Sequence, residues 1–412
     1  MDSPEQFSLM DPEIQKCPFA ANNLLREKAP VYRDPATGYY VITRYQDVRR
    51  ISLDYKTYSS ETRTLAANRV TSAPELIACI FREEGWEPLD TLVTSDPPSH
   101  KRYRSLVDSA FSFARVRRME PYIQRIVDEL IDDFIDDGAT DFVPAFSVPL
   151  PLTVIADQLG VSRDELDILK NFSDRLMEGA GPHSSTEAEI AYAKLATSFQ
   201  RYFAAKIEAF REHPADCMLS DLVHVEIEGQ RLNMPELLSL VQILLIGGNE
   251  STTNAIGSGL RLLIETPEIA QRLTQDPSAT PDFVEETLRL CAPIQGMPRR
   301  VTADVEIEGV KIPAGSIVFL RYGAANWDPA KFTQPDKIDL DRPNAKLHLA
   351  FGIGIHVCIG NQLVRSEMQI AFDTILRRLG KIRFAGSADS VAFGTNFIAY
   401  GPSKLRIAFE RR

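Results

Sequence analysis

Apolar residues recur at helical spacing over most of the chain, interrupted by short β-branched and aromatic runs. In the segment 116–137, Met119, Ile123, Val127, Leu130 and Phe134 fall on one face, which predicts a helix ended by Gly138. The segment 186–211 predicts another, after a loop over 179–185. The segment 237–264 is apolar on nearly every side, so it predicts a long helix running through the core. Thr266-Pro267 places a cap and a first-turn proline ahead of a further helix, and 281–290 reads as a shorter one. The residues 30–33 and 38–43 read as a hairpin around the turn 34–37. The residues 304–320 and the tail from Ile382 read as strands. The chain is therefore mainly α with minor β, the β-rich part mainly within 25–60, 300–322 and 380–412. No repeat, linker or composition shift divides it, so 1–412 reads as one domain. The segment 61–95 is long for a connection and holds at most one helix, over 73–84; it reads as a binding lid or a plain surface excursion.

Composition narrows the function classes. With 46 Lys+Arg against 57 Asp+Glu, the net charge of −11 disfavours a wide grip on nucleic acid. Hydrophobic residues at 44% and charged residues at 25% are ordinary for a globular protein. Five cysteines without a CxxC give no zinc ribbon or dithiol site, and they fit a reducing cytosol. The polar N-terminus is neither a signal peptide nor an anchor, and the longest apolar runs fall far below the ~20 residues of a membrane span. A soluble, cytoplasmic protein is expected.

The sharpest candidate for chemistry is Phe351-Gly352-Ile353-Gly354-Ile355-His356-Val357-Cys358-Ile359-Gly360. Gly352 and Gly354 let the backbone approach something large and flat. Cys358 precedes a helical stretch, 361–379, whose N-terminal N–H groups and positive dipole end stabilise a thiolate. A thiolate there suits an axial position on haem iron. A dinucleotide fingerprint fails, because Val357 stands where GxGxxG needs glycine. A thiol hydrolase needs a base that His356 is badly placed to supply. A structural cysteine in a glycine-rich loop is the plainer alternative for the motif by itself.

The motif has company. The stretch resembles the haem-binding signature of the cytochrome P-450 superfamily, FGxGxHxCxG, at every fixed position. Glu286-Thr287-Leu288-Arg289 resembles that family's ExxR helix, 326–342 its meander with Arg342 at the arginine position, and 247–252 its oxygen-activating helix. The resemblance extends from the N-terminal hairpin to the tail. It implies a single large P-450-type fold, with haem b between the long central helix and the Cys-loop helix, and a bacterial-type haem-thiolate monooxygenase.

The resemblance also assigns roles. Cys358 is implied as the iron ligand, with Phe351, Gly352 and Gly360 of the same loop as further cofactor-binding residues. Glu286, Arg289 and Arg342 are implied as a buried ionic network that fixes this loop. Haem propionates need cations or hydrogen-bond donors; His100 and Arg104, one turn apart behind Asp96-Pro97-Pro98, are implied there with Arg299 and His356, Arg300 being the alternative to Arg299. Glu250 is implied as the acid of a proton relay. Ser251 stands where the family usually has threonine, and Thr252 is the alternative alcohol. Two glycines, Gly247 and Gly248, disfavour a helix by ~1 kcal/mol each, which implies room for dioxygen and substrate beside a widened turn. Ile243, Ile246, Gly247, Ile294, Gln295 and Phe397 are implied to line the pocket, with Leu65 and Val70 from the long loop and Gln295 fixing one polar group. Such a lining suits a small-to-medium hydrophobic substrate. The chain has no flavin or iron–sulfur motif, so a ferredoxin-type donor with its reductase is implied, docking on Lys101, Arg102, Arg115, Arg117 and Arg118. The other classes are a partner-independent peroxygenase or isomerase, against which the Glu250–Ser251 pair speaks, and a haem-binding sensor, for which no output domain exists.

Overall fold

The computed structural model describes residues 3–62, 73–178, 185–226 and 229–412. Twelve strands occur among them: β1 (Val31–Arg33), β2 (Tyr40–Ile42), β3 (Tyr58–Ser59), β4 (Ala139–Asp141), β5 (Met297–Val301), β6 (Val305–Ile307), β7 (Val310–Ile312), β8 (Ile317–Leu320), β9 (Leu379–Phe384), β10 (Ala392–Phe393), β11 (Pro402–Lys404) and β12 (Arg406–Arg411). Contacts group the chain into two compact units, each discontinuous in sequence. The first takes the residues up to Ser59, Phe113–Pro151 and Glu250–Arg412, and the second Ser60–Ser112 and Leu152–Asn249. All twelve strands belong to the first.

In the first unit β1 and β2 form the expected hairpin, tied by the buried Asp34 carboxylate, which accepts from the Thr37 backbone N–H at 2.9 Å. The hairpin edges a five-stranded sheet, β1-β2-β8-β5-β3, in which β2 runs parallel to β8. β8 (Ile-Val-Phe-Leu) is apolar throughout because it is buried on both faces. The apolar core under this sheet, with Ile42, Val48, Ile51, Val318 and Leu349, continues into partly buried Ile353. The sheet thus supports the glycine-rich loop. A second sheet, β4-β12-β9, uses β4, which the sequence pattern did not announce. The helix expected over 116–137 is Phe113–Asp132; a separate 3-10 turn, Ile135–Asp137, follows before Gly138 at φ 69°. Helix Thr280–Cys291 packs on helix Asn361–Arg378 through the Phe283 and Phe372 rings, 5.1 Å apart. The Phe372 ring also lies against Gly259, where any Cβ would collide with it.

The second unit is built from helices, among them Pro74–Glu84, Ser99–Asp108 and Thr186–Glu212. Its Gln200 holds both the N–H and the C=O of Trp86, at 2.9 and 2.8 Å. The central helix, Met234–Glu265, contains the end of the second unit and the start of the first chain segment after it. It is α-helical throughout, so the widened turn expected at Gly247-Gly248 is not there. Thr266 does occupy the N-cap position of helix Pro267–Gln275, but its hydroxyl bonds back to the Leu262 carbonyl and caps nothing.

Candidate active site

Gly352 and Gly354 adopt φ of 66° and 79°, which residues with a Cβ rarely adopt, and so curl the loop back on itself. The Cys358 N–H then donates to the Phe351 carbonyl at 2.8 Å, closing the loop. Gly360 is the N-cap position of helix Asn361–Arg378, and Asn361 Nδ2 donates to the Cys358 carbonyl at 2.6 Å. Cys358 is thus pinned through both its backbone groups beside a helix N-terminus, with its side chain half-buried. Phe351, Ile355, Val357 and Ile359 are likewise only half-buried. An apolar loop surface of this kind beside a thiol fits a flat, apolar prosthetic group.

Glu286, Arg289 and Arg342 meet as expected. Glu286 Oε1 lies 2.6 Å from Arg289 Nε and 3.0 Å from Arg342 Nε; its Oε2 accepts from Arg289 Nη2 and the Asp339 N–H, each at 2.9 Å. Arg289 also donates to the carbonyls of Asn326, Pro335 and Lys337. The same Asn326 accepts from the Leu349 N–H through its side chain at 2.7 Å, two residues before the loop. The network therefore shapes the segment 326–342 and reaches the Cys358 loop through Asn326.

On the central helix, Ile243, Ile246, Gly247, Glu250, Ser251 and Asn254 fall three or four residues apart, on one face, and each is at most half-buried. Most of their neighbours are buried. A Cβ at Gly247 would meet no atom within 4 Å. Ser251 lies on this open face. Thr252 does not: it is 1% exposed, and its Oγ1 has no hydrogen-bond partner among the described residues.

Arg299 is buried, unlike half-buried Arg300 beside it on β5. Its Nη1 donates to the Pro298 carbonyl at 2.7 Å, and no carboxylate pairs with it among the described residues. A buried guanidinium in that state fits an anionic group such as a haem propionate. In the second unit, His100 is buried, and burial followed by the charge of Arg104 pulls its pKa below the usual histidine range. Arg104 Nε is 2.7 Å from Asp108. His356 is half-buried in the loop itself.

Two expectations need correction, those for Gln295 and Arg102. Gln295 does not offer its amide N–H groups to a substrate: Nε2 donates to the carbonyls of Cys291 and Ala292, at 2.9 and 2.8 Å, closing a helix that ends in left-handed Ala292. Phe397 packs with the Phe319 ring, 5.5 Å away, against a core of Phe7, Leu9 and Leu25. Arg102 is not a free cation; its Nη1 is 2.6 Å from Glu236 Oε1, within the second unit. Ile294 is half-buried and bridges to Ala399, while Leu65 and Val70 lie outside the described residues. Arg117 and Arg118 remain exposed on helix Phe113–Asp132, with Arg117 5.7 Å from the ring of Phe113, itself 63% exposed.

Two groups of residues escaped sequence reasoning. One is a surface cleft of about 420 Å³ in the first unit, lined by Arg49, Lys331, Lys346, Leu347, Gly352 and Ile353. Its three cations have no carboxylate partner among the described residues. The other is Glu285 with His348, Asn361 and Arg365. Arg365 Nε and Nη2 grip the two Glu285 oxygens at 2.6 and 3.1 Å, and His348 Nε2 lies 3.2 Å from Glu285 Oε2, off the hydrogen-bond line. Burial raises the Glu285 pKa, but His348 and Arg365 outweigh it and hold the carboxyl at about 2. The two adjacent acids, Glu285-Glu286, were the one local signal that a second network exists.

The family model for cytochrome P-450 matches residues 185–380. The chain is 37% identical over 373 residues to the steroid C26-monooxygenase of Mycobacterium tuberculosis, covering 90% of this chain and 88% of that protein. It is 31% identical over 412 residues to the vitamin D(3) 25-hydroxylase of Pseudonocardia autotrophica, covering 99% and 98%. A solved cytochrome P-450 structure from Chondromyces apiculatus matches with a TM-score of 0.87 at 32% identity, over 98% of both chains. No helix among the described residues is long and apolar enough to cross a membrane. With the mainly α, minor β fold of these relatives along nearly its whole length, the chain belongs to the cytochrome P-450 family, as a bacterial-type monooxygenase with a haem cofactor.

Proposed function

We propose that this chain binds haem b through Cys358 and oxidises a small-to-medium hydrophobic molecule, using electrons from an external ferredoxin-type donor and its reductase. Haem, once bound, supplies the activation of dioxygen, and the protein supplies position, protons and exclusion of water. The observation that carries the reading is Cys358 pinned through its N–H and its carbonyl at the start of a helix. Arg299, His356, His100 and Arg104 are the residues proposed to take the propionates. Glu250 would pass its proton to Ser251 Oγ, which would hand it on toward the reacting oxygen; the open face of the central helix supports Ser251 over the buried Thr252 as that alcohol. Ile243 and Ile246 on the same face support a hydrophobic substrate, as do the steroid and vitamin D(3) named for two relatives.

An outside electron donor must approach near Cys358. The cationic cleft bordered by Gly352 and Ile353 supports docking of an acidic protein there, and Arg115, Arg117 and Arg118 are proposed to add to the attraction. Five unbridged cysteines support a cytoplasmic setting. The deciding experiment is the spectrum of the reduced carbon monoxide complex. The wild type should give the red-shifted band of thiolate ligation, and Cys358→His should move it to the shorter wavelength of imidazole ligation. An unchanged band in the variant would remove Cys358 as the ligand. Product formed with a ferredoxin system but not with peroxide alone would separate the monooxygenase from a peroxygenase.

A further inference from the structure

Glu285 and Glu286 are neighbours on one helix, about 100° apart around its axis. Glu286 turns to the segment 326–342, as described above. Glu285 turns to the Cys358 loop, and through one arginine it reaches that loop at both ends. At the far end the links run in series. The Glu285 carboxylate receives Arg365 Nε and Nη2 at 2.6 and 3.1 Å. Arg365 Nη1 donates to Asn361 Oδ1 at 2.8 Å. Asn361 Nδ2 donates to the Cys358 carbonyl at 2.6 Å. At the near end, the same Arg365 guanidinium lies 4.6 Å over the ring of Phe351, whose carbonyl accepts from the Cys358 N–H. His348, on the other side of Glu285, accepts from the Ala350 N–H at Nδ1, at 3.1 Å, just before the loop begins.

We propose that Glu285, acting through Arg365 and Asn361, is a positioning residue for Cys358: it holds the Cys358 peptide in the orientation that presents a thiolate to the haem iron. The reasoning is directional. An asparagine amide swivels freely unless its oxygen is held, and among the described residues Arg365 Nη1 alone holds it. Arg365 in turn is oriented by a bidentate carboxylate, the strongest geometry available to an arginine. A donor on the Cys358 carbonyl both fixes the loop and polarises the Cys358–Ile359 peptide, which lies just ahead of the helix N-cap Gly360. Partners one step removed from a metal ligand characteristically tune its binding in this way. Among the described residues neither Glu286, Arg289 nor Arg342 hydrogen-bonds to Asn361 or Arg365, so the two networks reach the loop by different routes.

This inference rests on the reading of Cys358 as the iron ligand, and the wild-type spectrum tests that first: without a thiolate-type band, both fail. With that band present, the readout is the ratio of the shorter-wavelength form to the thiolate form in the reduced carbon monoxide complex of the haem-loaded chain. Glu285→Gln and Asn361→Ala should each raise this ratio about 10-fold, the lower end of the effect expected from such partners. The double variant should be no worse than the worse single variant, because both break one series. Amide hydrogen exchange over 351–361 should accelerate in the same variants without haem, while the unfolding midpoint of Asn361→Ala stays near that of wild type. Arg272→Gln, which breaks a surface pair with Asp341, should change none of these. If Glu285→Gln does not fold, Arg365→Lys takes its place in the same comparison. Ratios within about twofold of wild type in the single variants, or additive effects in the double, would overturn the proposal.

Discussion

The Glu286 cluster and the middle of the central helix are both polar and both largely buried, yet they are finished in opposite ways. A guanidinium has five N–H donors, and Arg289 uses all of them: two on Glu286 and three on the carbonyls of Asn326, Pro335 and Lys337. On the central helix, Asn249 Oδ1, Thr252 Oγ1 and Thr253 Oγ1 have no hydrogen-bond partner among the described residues, and Gly247 faces open space. Polarity that holds a shape is closed on itself. Polarity beside a working face is left open, to water or to a guest. The first kind makes stability depend on each member. The second makes turnover, rather than stability, the sensitive quantity.

The largest break in this contrast comes from opening the closed side. Arg289→Ala leaves Glu286 buried without its main partner and should cost about 3–5 kcal/mol, read from denaturant midpoints. A loss below about 1 kcal/mol would show that the cluster is not a closed unit. Glu285 tests the same idea through pH. Its folded pKa is about 2, below the ordinary glutamate value near 4.3, so its contribution is present above the unfolded pKa and lost as pH falls toward 2. The stability gap between wild type and Glu285→Gln should therefore be on the order of 3 kcal/mol at neutral pH and should close between about pH 5 and pH 2. A gap independent of pH would mean that the carboxylate charge is not what stabilises.

On the open side, Glu250→Gln should slow turnover by roughly 10- to 100-fold while leaving the unfolding midpoint nearly unchanged. The smallest effect sharpens the contrast most. Thr252→Val removes a hydroxyl that bonds to nothing described, so stability should rise or stay within about 1 kcal/mol, with coupling of oxygen use to product retained. Ser251→Ala should instead release more peroxide per reductant consumed. If Thr252→Val uncouples and Ser251→Ala does not, the relay alcohol is Thr252.

What could be read from sequence was local in the chain. The Cys358 loop lies within ten consecutive residues, and Glu286 and Arg289 are one helical turn apart. Helix and strand periodicity depends on residues a few places away, so the central helix and the hairpin were legible nearly to their ends. What escaped was decided by partners distant in sequence. Arg102 looked like part of a basic cluster because Glu236 is far along the chain. Arg49, Lys331 and Lys346 share a cleft that no window of sequence contains. Gln295 was misread for a different reason: its amide found two nearby carbonyls at a helix end, and side chains that compete for backbone groups are hard to rank from residue type alone. Thr266 made the same choice at the end of the central helix.

The adjacency of Glu285 and Glu286 also governs how this protein can change in length. A substitution disturbs one carboxylate and one network. A single residue inserted or deleted between Phe283 and Glu285, with Phe283 held against Phe372, would rotate both acids by about 100° together relative to that anchor. The loop would lose its support and the segment 326–342 its anchor in the same step. Variation in chain length therefore belongs in the surface connections, and the helix Thr280–Cys291 acts as a keyed shaft whose teeth fit only one setting.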